Sequence, residues 1–248
     1  MYRLFFSLLG ILFVAYSTLR AQQLQVTTFA GMSPAAEISF IQTAAEANLS
    51  SKASPVFEIG LDYYQKIYRR WGLLAGVYGG VQSHSMEVEV TPAFLGTTWS
   101  PDLKHIEFAF PHFGARLLAD YRVLDKGRHC LSASAGIGAF HITRYFVGLK
   151  AYITPEGEPF QGNDRAYYTD IAFSDSSKKI RLRPEFRLNW QYALGKKTAL
   201  HVFVAGAYTD FAFQNATFNF TGESETAYGT WLTRFQQTGI GVGICRRW

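Results

Sequence analysis

The residues best suited to do chemistry are charges that alternate with apolar side chains. From Ile180 to Tyr192 one parity reads Ile180, Leu182, Pro184, Phe186, Leu188, Trp190, Tyr192. The other reads Arg181, Arg183, Glu185, Arg187, Asn189, Gln191. A period of two this regular is a strand with one apolar and one polar face. A second polar set, Glu58, Asp62 and Lys66, alternates with Phe57, Ile59, Leu61 and Tyr63, and Arg116 and Asp120 share a third stretch. Enclosed together, these acids and arginines would neutralise one another, because a buried charge is costly unless paired. That arrangement makes a plug. Left apart and hydrated, the same residues would line a permeation or binding path.

Enzymatic chemistry has less to build on. The six histidines are His84, His105, His112, His129, His141 and His201, and no His-x-Ser pair occurs. His129 and Ser132 have opposite parity, so a lipid-facing Ser–His–acid cluster is not expected. The histidines lack metal spacing. The acids Glu156, Glu158, Asp164, Asp170 and Asp175 read as solvated loop residues rather than a calcium site. Cys130 and Cys245 show no CxxC or zinc spacing, and thiols not joined to each other are expected. No cofactor, no metal and no catalytic residue is therefore expected.

The elements that must position these charges are short strands. Aromatic residues make up 16% of the chain and there are 22 glycines, a composition suited to strands. Beyond the N-terminus no long apolar run reads as a membrane helix. Three hairpins stand out, each with a short turn: around Tyr68-Arg69-Arg70, around Asp125-Lys126-Gly127, and around Gly195-Lys196-Lys197. Strands near Leu24 to Gly31 and Thr233 to Arg247 complete the set. Between them run long stretches, roughly Met32 to Ser54, His84 to His105, Arg144 to Lys179 and Gln214 to Leu232. Three short turns and four long loops predict an all-β, transmembrane, antiparallel up-and-down barrel of about eight strands. Ten is the alternative, if Glu37 to Gln42 and Phe211 to Thr221 hide a hairpin. Apolar parity faces lipid and polar parity faces the lumen. Pro184 lacks a ladder donor, so a bulge or bend is expected there.

The first residues read as a signal peptide, with Arg3, an apolar core from Leu4 to Tyr16, and Ala21 at the cleavage point. Residues 1–21 are the expected leader and 22–248 the barrel domain. Removing Arg3 and Arg20 lowers the formal charge of +5 by two. A modest basic excess on an exported chain argues against a nucleic-acid partner.

Tyr63, Tyr68, Trp71, Tyr121, Trp190, Tyr192 and Trp248 gather where the strands meet the short turns, as a girdle at headgroup depth would. Basic residues collect in the same turns. The long loops carry most of the acids. Basic turns at that end would meet anionic headgroups of the inner leaflet.

The chain resembles the outer-membrane protein β-barrel domain family, a porin-like family in the architectural class of the OmpA-type and OmpX-type barrels, over Gln22 to Trp248. The C-terminal run Gly239-Ile240-Gly241-Val242-Gly243-Ile244-Cys245-Arg246-Arg247-Trp248 carries the best local match. Family members end in an aromatic residue on an alternating strand with an inward glycine. Here these are Trp248 and Gly243, although Arg246 stands where an aromatic is usual. The resemblance implies the outer membrane of a Gram-negative-type bacterium, lipid partners, and recognition of the last strand by the barrel assembly machinery. The residues themselves favour a non-enzymatic barrel with a charge-paired lumen, whose long loops serve surface interaction or membrane integrity, with an extracellular or periplasmic protein partner. The alternatives are a narrow solute channel or a barrel subunit of a secretion or surface-assembly complex, and, third, a lipid-modifying enzyme.

Overall fold

The structure is a computed structural model, and it describes residues 23–42, 47–91, 104–143, 149–153, 167–173, 180–209, 212–221 and 226–247. The leader, Trp248 and the acids Glu156, Glu158, Asp164 and Asp175 lie outside the described residues.

Fourteen strands are described: β1 (Gln23–Ser33), β2 (Glu37–Gln42), β3 (Ala47–Lys52), β4 (Ser54–Tyr68), β5 (Trp71–Val90), β6 (Lys104–Lys126), β7 (His129–Ile142), β8 (Leu149–Ile153), β9 (Tyr167–Phe173), β10 (Arg181–Ala193), β11 (Thr198–Ala207), β12 (Ala212–Thr221), β13 (Thr226–Arg234) and β14 (Gln237–Arg247). Eight of them close a cylinder. Starting at β1, each pairs antiparallel with the next in the order β4, β5, β6, β7, β10, β11, β14, and β14 returns to β1. Closure removes every free edge, which the hydrocarbon of a bilayer demands.

The cylinder is polar inside and apolar outside. Along β4, Glu58, Gly60 and Asp62 are buried, while Phe57, Ile59 and Leu61 are exposed; Ile59 keeps 53% of its surface. Along β10, Arg183, Glu185, Arg187 and Asn189 are buried, and Leu182, Phe186 and Leu188 are exposed. In water this arrangement would place large apolar surface against solvent. In a bilayer it is the stable one. A closed, up-and-down, eight-stranded cylinder with short turns at one rim and long connections at the other is a transmembrane barrel of outer-membrane type.

Three turns join the strands at one rim. In the first, Arg69 holds a left-handed φ of 47°, which few side chains adopt readily. The second places Gly127 at φ 63°, where glycine carries no such strain. Backbone bonds from Arg122 N to Arg70 O and from Ala193 N to Arg128 O, each 2.8 Å, tie these turns to neighbouring strands.

The opposite rim is not made of plain loops. The barrel does not have ten strands. Glu37–Gln42 and Ala212–Thr221 are β-structured, but they join a separate five-stranded sheet in the order β2-β13-β12-β9-β8. Its strands come from three different long connections. β5 and β6 run for 20 and 23 residues, well beyond the ~10 needed to cross a bilayer. β3 pairs with the far end of β5, from Ser85 to Val90.

The bulge or bend expected at Pro184 does not occur as a register break. Pro184 pairs opposite Ile137 in an unbroken β10–β7 ladder. On its other side the β10–β11 register begins at Glu185, and Pro184 O accepts from Tyr208 N at 3.1 Å. The proline therefore sits where a ladder ends, and its missing donor is of little consequence. Lys66, of inward parity, is exposed at the rim, beside a bulge between Lys66 and Tyr68.

Candidate functional site

The interior is organised in levels. At the first ionic level β4 supplies Glu58. It accepts from Arg183 Nη2 of β10 at 3.2 Å and from Gln237 Nε2 of β14 at 2.8 Å, and faces His112 Nε2 of β6 at 3.1 Å. Arg183 also donates from Nε to Glu185 Oε1 at 3.0 Å, and Tyr78 OH donates to the same oxygen at 3.4 Å. Its guanidinium lies over the rings of Tyr78, Phe140 and Phe235, each between 5.2 and 5.3 Å away. Arg183 is 0% exposed, and this cage of carboxylates and ring faces is what lets a cation stay there.

The second ionic level lies two inward positions along β4, past Gly60. Asp62, also 0% exposed, accepts from Arg116 Nε at 2.8 Å, from Arg116 Nη2 at 3.1 Å and from Arg187 Nη1 at 3.1 Å. Arg116 bridges the levels, with Nη1 4.0 Å from Glu58. Arg187 rests over Phe203 at 4.7 Å. β4 and β10 face each other across the cylinder, so each acid meets its arginine across the lumen. Toward the short-turn rim hydroxyls and amides replace the arginines as partners. Asp120 accepts from Ser134 Oγ at 2.7 Å rather than from an arginine. Asn189 donates to Ser134 at 2.7 Å, and its Oδ1 pairs with His201 Nε2 at 3.2 Å. Gln23 donates to Gln191 at 3.1 Å. Arg181 is half-buried at the outer end of β10 and forms no ion pair among the described residues.

Aromatic rings cap the ionic levels on the loop side. Phe235, between β13 and β14, stacks on Phe140 at 4.5 Å and meets His112 edge-on at 4.6 Å. Further out, His84 packs edge-on against Phe110 and Trp231, and Gln82 bridges His84 and Ser33 at 2.8 Å each. Among the described residues, side chains thus fill the lumen through both ionic levels and the aromatic cap. A cavity of about 10 Å3 remains among Gln25, Tyr64, Asp120, Ser132 and Gln191, room for about one water.

Glycines make this filling sterically feasible. A Cβ on Gly76 would fall on Asp62 Oδ1, and one on Gly138 would fall on Glu185 Oε1. Gly76→Val is expected to push Asp62 off Arg116 and destabilise the folded barrel by at least about 1–3 kcal/mol. Urea unfolding in phospholipid vesicles reads this; an unchanged midpoint would mean that Asp62 has room to move.

On the outside, Trp71 packs against Tyr121 at 4.9 Å, and Trp190 and Tyr192 flank His129. Tyr63 and Tyr68 lie on the same outward surface near the turns. Gly243 is on β14, opposite Thr27 of β1. Cys130 and Cys245 are buried on β7 and β14 and are not joined to each other, since β10 and β11 lie between them. Among the described residues no group of three or more His, Cys, Asp and Glu side chains could hold a metal ion.

Sequence reasoning missed His112, His201, Gln237, Tyr78 and Phe235. His112 shares parity with Arg116 and Asp120, a signal that could have found it. Phe235 and Gln237 fall in the Thr233 to Arg247 stretch and share the parity of Gly243, so the same signal could have found them.

No protein-family model and no curated protein matches the chain. Among solved structures it is similar to the outer membrane protein OprG from Pseudomonas aeruginosa, with 12% identity and a TM-score of 0.49 over 91% of this chain and 96% of that one. It is similar to Neisserial surface protein A, with 9% identity and a TM-score of 0.41 over 91% and 97%. It is similar also to the outer membrane protein AlkL, with 14% identity and a TM-score of 0.38 over 92% and 88%.

Proposed function

We propose that this outer-membrane barrel is neither a channel nor an enzyme, and that it acts through the β-structured surface built by its long connections, in surface interaction or membrane integrity. The filled lumen is the observation that carries the reading. Two levels of ion pairs and an aromatic cap cross the lumen, and the cavity below them among Gln25, Tyr64, Asp120, Ser132 and Gln191 holds about 10 Å3, far too little for a solute path. The five-stranded outer sheet then offers an ordered face to an extracellular protein partner. Residues 1–21 act as a cleaved leader, and β14 presents Gly243 to the barrel assembly machinery. Support for a non-enzymatic role comes from the lipid-facing histidine. His129 Nδ1 accepts from Trp190 Nε1 at 3.3 Å and stacks on that ring, while Ser132 points inward to Asn189.

Single-barrel recordings in planar bilayers test the reading. The purified wild-type protein is expected to show no unitary conductance. The double variant Arg183→Ala, Arg187→Ala is expected to show steps, because two large side chains leave the section. Sustained steps from the wild type would replace this reading with a narrow channel.

A further inference from the structure

The short-turn rim carries a cationic ring. Arg69 and Arg70 lie in the first turn, Lys126 and Arg128 in the second, and Lys196 and Lys197 in the third, all of them exposed. One acid, Asp125, belongs to the same turns, and it is occupied by Arg122 at 2.9 Å. At the other end of the barrel Lys52 pairs with Glu87 and Arg234 with Glu37, while Arg181 is half-buried at the start of β10. Among the described residues, exposed basic side chains without an acid beside them therefore concentrate at the short-turn rim.

Two further features say what this ring meets. First, the turns are braced by the bonds from Arg122 N to Arg70 O and from Ala193 N to Arg128 O, so the charges stand on a braced rim rather than on independent loops. Second, every turn is flanked on its outer side by exposed apolar or aromatic side chains: Ile67, Tyr68 and Trp71, then Val123 and Leu124, then Leu194. These residues belong to the lipid-facing surface. The charges thus stand where hydrocarbon gives way to headgroups, and Arg69 already lies 5.1 Å from the Tyr68 ring centroid. An acidic soluble partner would not need that apolar shelf beneath each pair of charges.

We infer that this rim is a docking surface for the phosphodiester headgroups of anionic glycerophospholipids in the leaflet facing the short turns. Arginine donates a planar fork to two phosphate oxygens, and lysine adds a compact point charge. Two basic residues per turn give three headgroup positions around the cylinder. The inference rests on the membrane-spanning reading proposed above.

The test uses the full mature protein, folded in detergent and titrated with phosphatidylglycerol or phosphatidylcholine, with retained lipid counted by native mass spectrometry. Wild type is expected to retain phosphatidylglycerol about tenfold better than phosphatidylcholine, and to lose most of that preference at high salt. Replacing all six residues with Gln should bring the preference to about parity, while Lys52→Gln at the other rim should leave it unchanged. If the sixfold variant does not fold, the three paired variants, one turn each, should lower the preference stepwise. No preference in wild type, or a preference that survives the substitutions, overturns the inference. So does full displacement by inorganic phosphate, which would mark a simple anion site, or displacement by an acidic protein. Heat-modifiable mobility and outer-membrane fractionation are read in parallel, and their failure would strike the membrane-spanning reading instead.

Discussion

Arg183→Ala is expected to destabilise the folded barrel by about 3–5 kcal/mol, among the largest effects of any single substitution in the chain. The argument is electrostatic before it is steric. Arg183 is wholly enclosed and holds two carboxylates, Glu58 at 3.2 Å and Glu185 at 3.0 Å. Removing it leaves both acids in a narrow interior with fewer partners. Glu58 keeps His112, Gln237 and, at 4.0 Å, Arg116, and among the described residues Glu185 keeps the Tyr78 hydroxyl at 3.4 Å. Urea unfolding in phospholipid vesicles measures the loss. The triple variant Arg183→Met, Glu58→Gln, Glu185→Gln should recover much of it, because deleting a whole buried charge group is far cheaper than orphaning half of it. A loss below about 1 kcal/mol for Arg183→Ala would mean that water reaches the acids, and the plug would then be an open, hydrated lumen.

Phe235→Ala is expected to cost a comparable 3–5 kcal/mol, by a different route. Phe235 is fully buried, stacks on Phe140, meets His112 edge-on, and supplies one of the three ring faces around Arg183. Alanine leaves a cavity directly above the ionic level. Phe235→Leu retains most of the volume but not the ring face, and should cost about 1–1.5 kcal/mol. The same vesicle unfolding assay separates the two. Equal effects of Ala and Leu would show that ring geometry, rather than filled volume, dominates. A negligible effect of both would show that the cap is not part of the cooperative fold.

How much of this was legible in the chain depends on the distance over which residues communicate. Along β10 the alternation from Ile180 to Tyr192 assigns each side chain to a face, because a strand has no other choice. The three turns announce themselves through Gly127, Gly195 and their polar neighbours. Glu58 and Asp62 carry the parity of β4 for the same reason. The partner of each charge is a separate matter. Asp120 shares inward parity with the arginines yet lies a level below them, against Ser134, and only the stagger of the cylinder decides that. Arg181 has the parity of Arg183 but sits too near the rim to be enclosed. The outer sheet was hardly visible. β2 and β13 pair across nearly the full length of the chain, and nothing local to Glu37–Gln42 records that choice. The burial of His84 and His201 was not legible either, since a histidine has no spacing signature when its partners are a glutamine and an asparagine.

The seam of the cylinder joins the first barrel strand to the last, with ten opposed pairs from Gln23↔Arg247 to Met32↔Thr238. Ribosomes make β1 first and β14 last, so no partial product can be sealed. A chain halted before Gln237 would present β1 and β11 to the bilayer as two raw edges, each lined with backbone groups that lipid cannot satisfy. It would also lack the glutamine that holds Glu58. Premature stop codons and frameshifts, even ones that delete only the last dozen residues, therefore yield material fit for proteolysis rather than a shortened membrane protein. Biosynthesis of this chain is all-or-none in length.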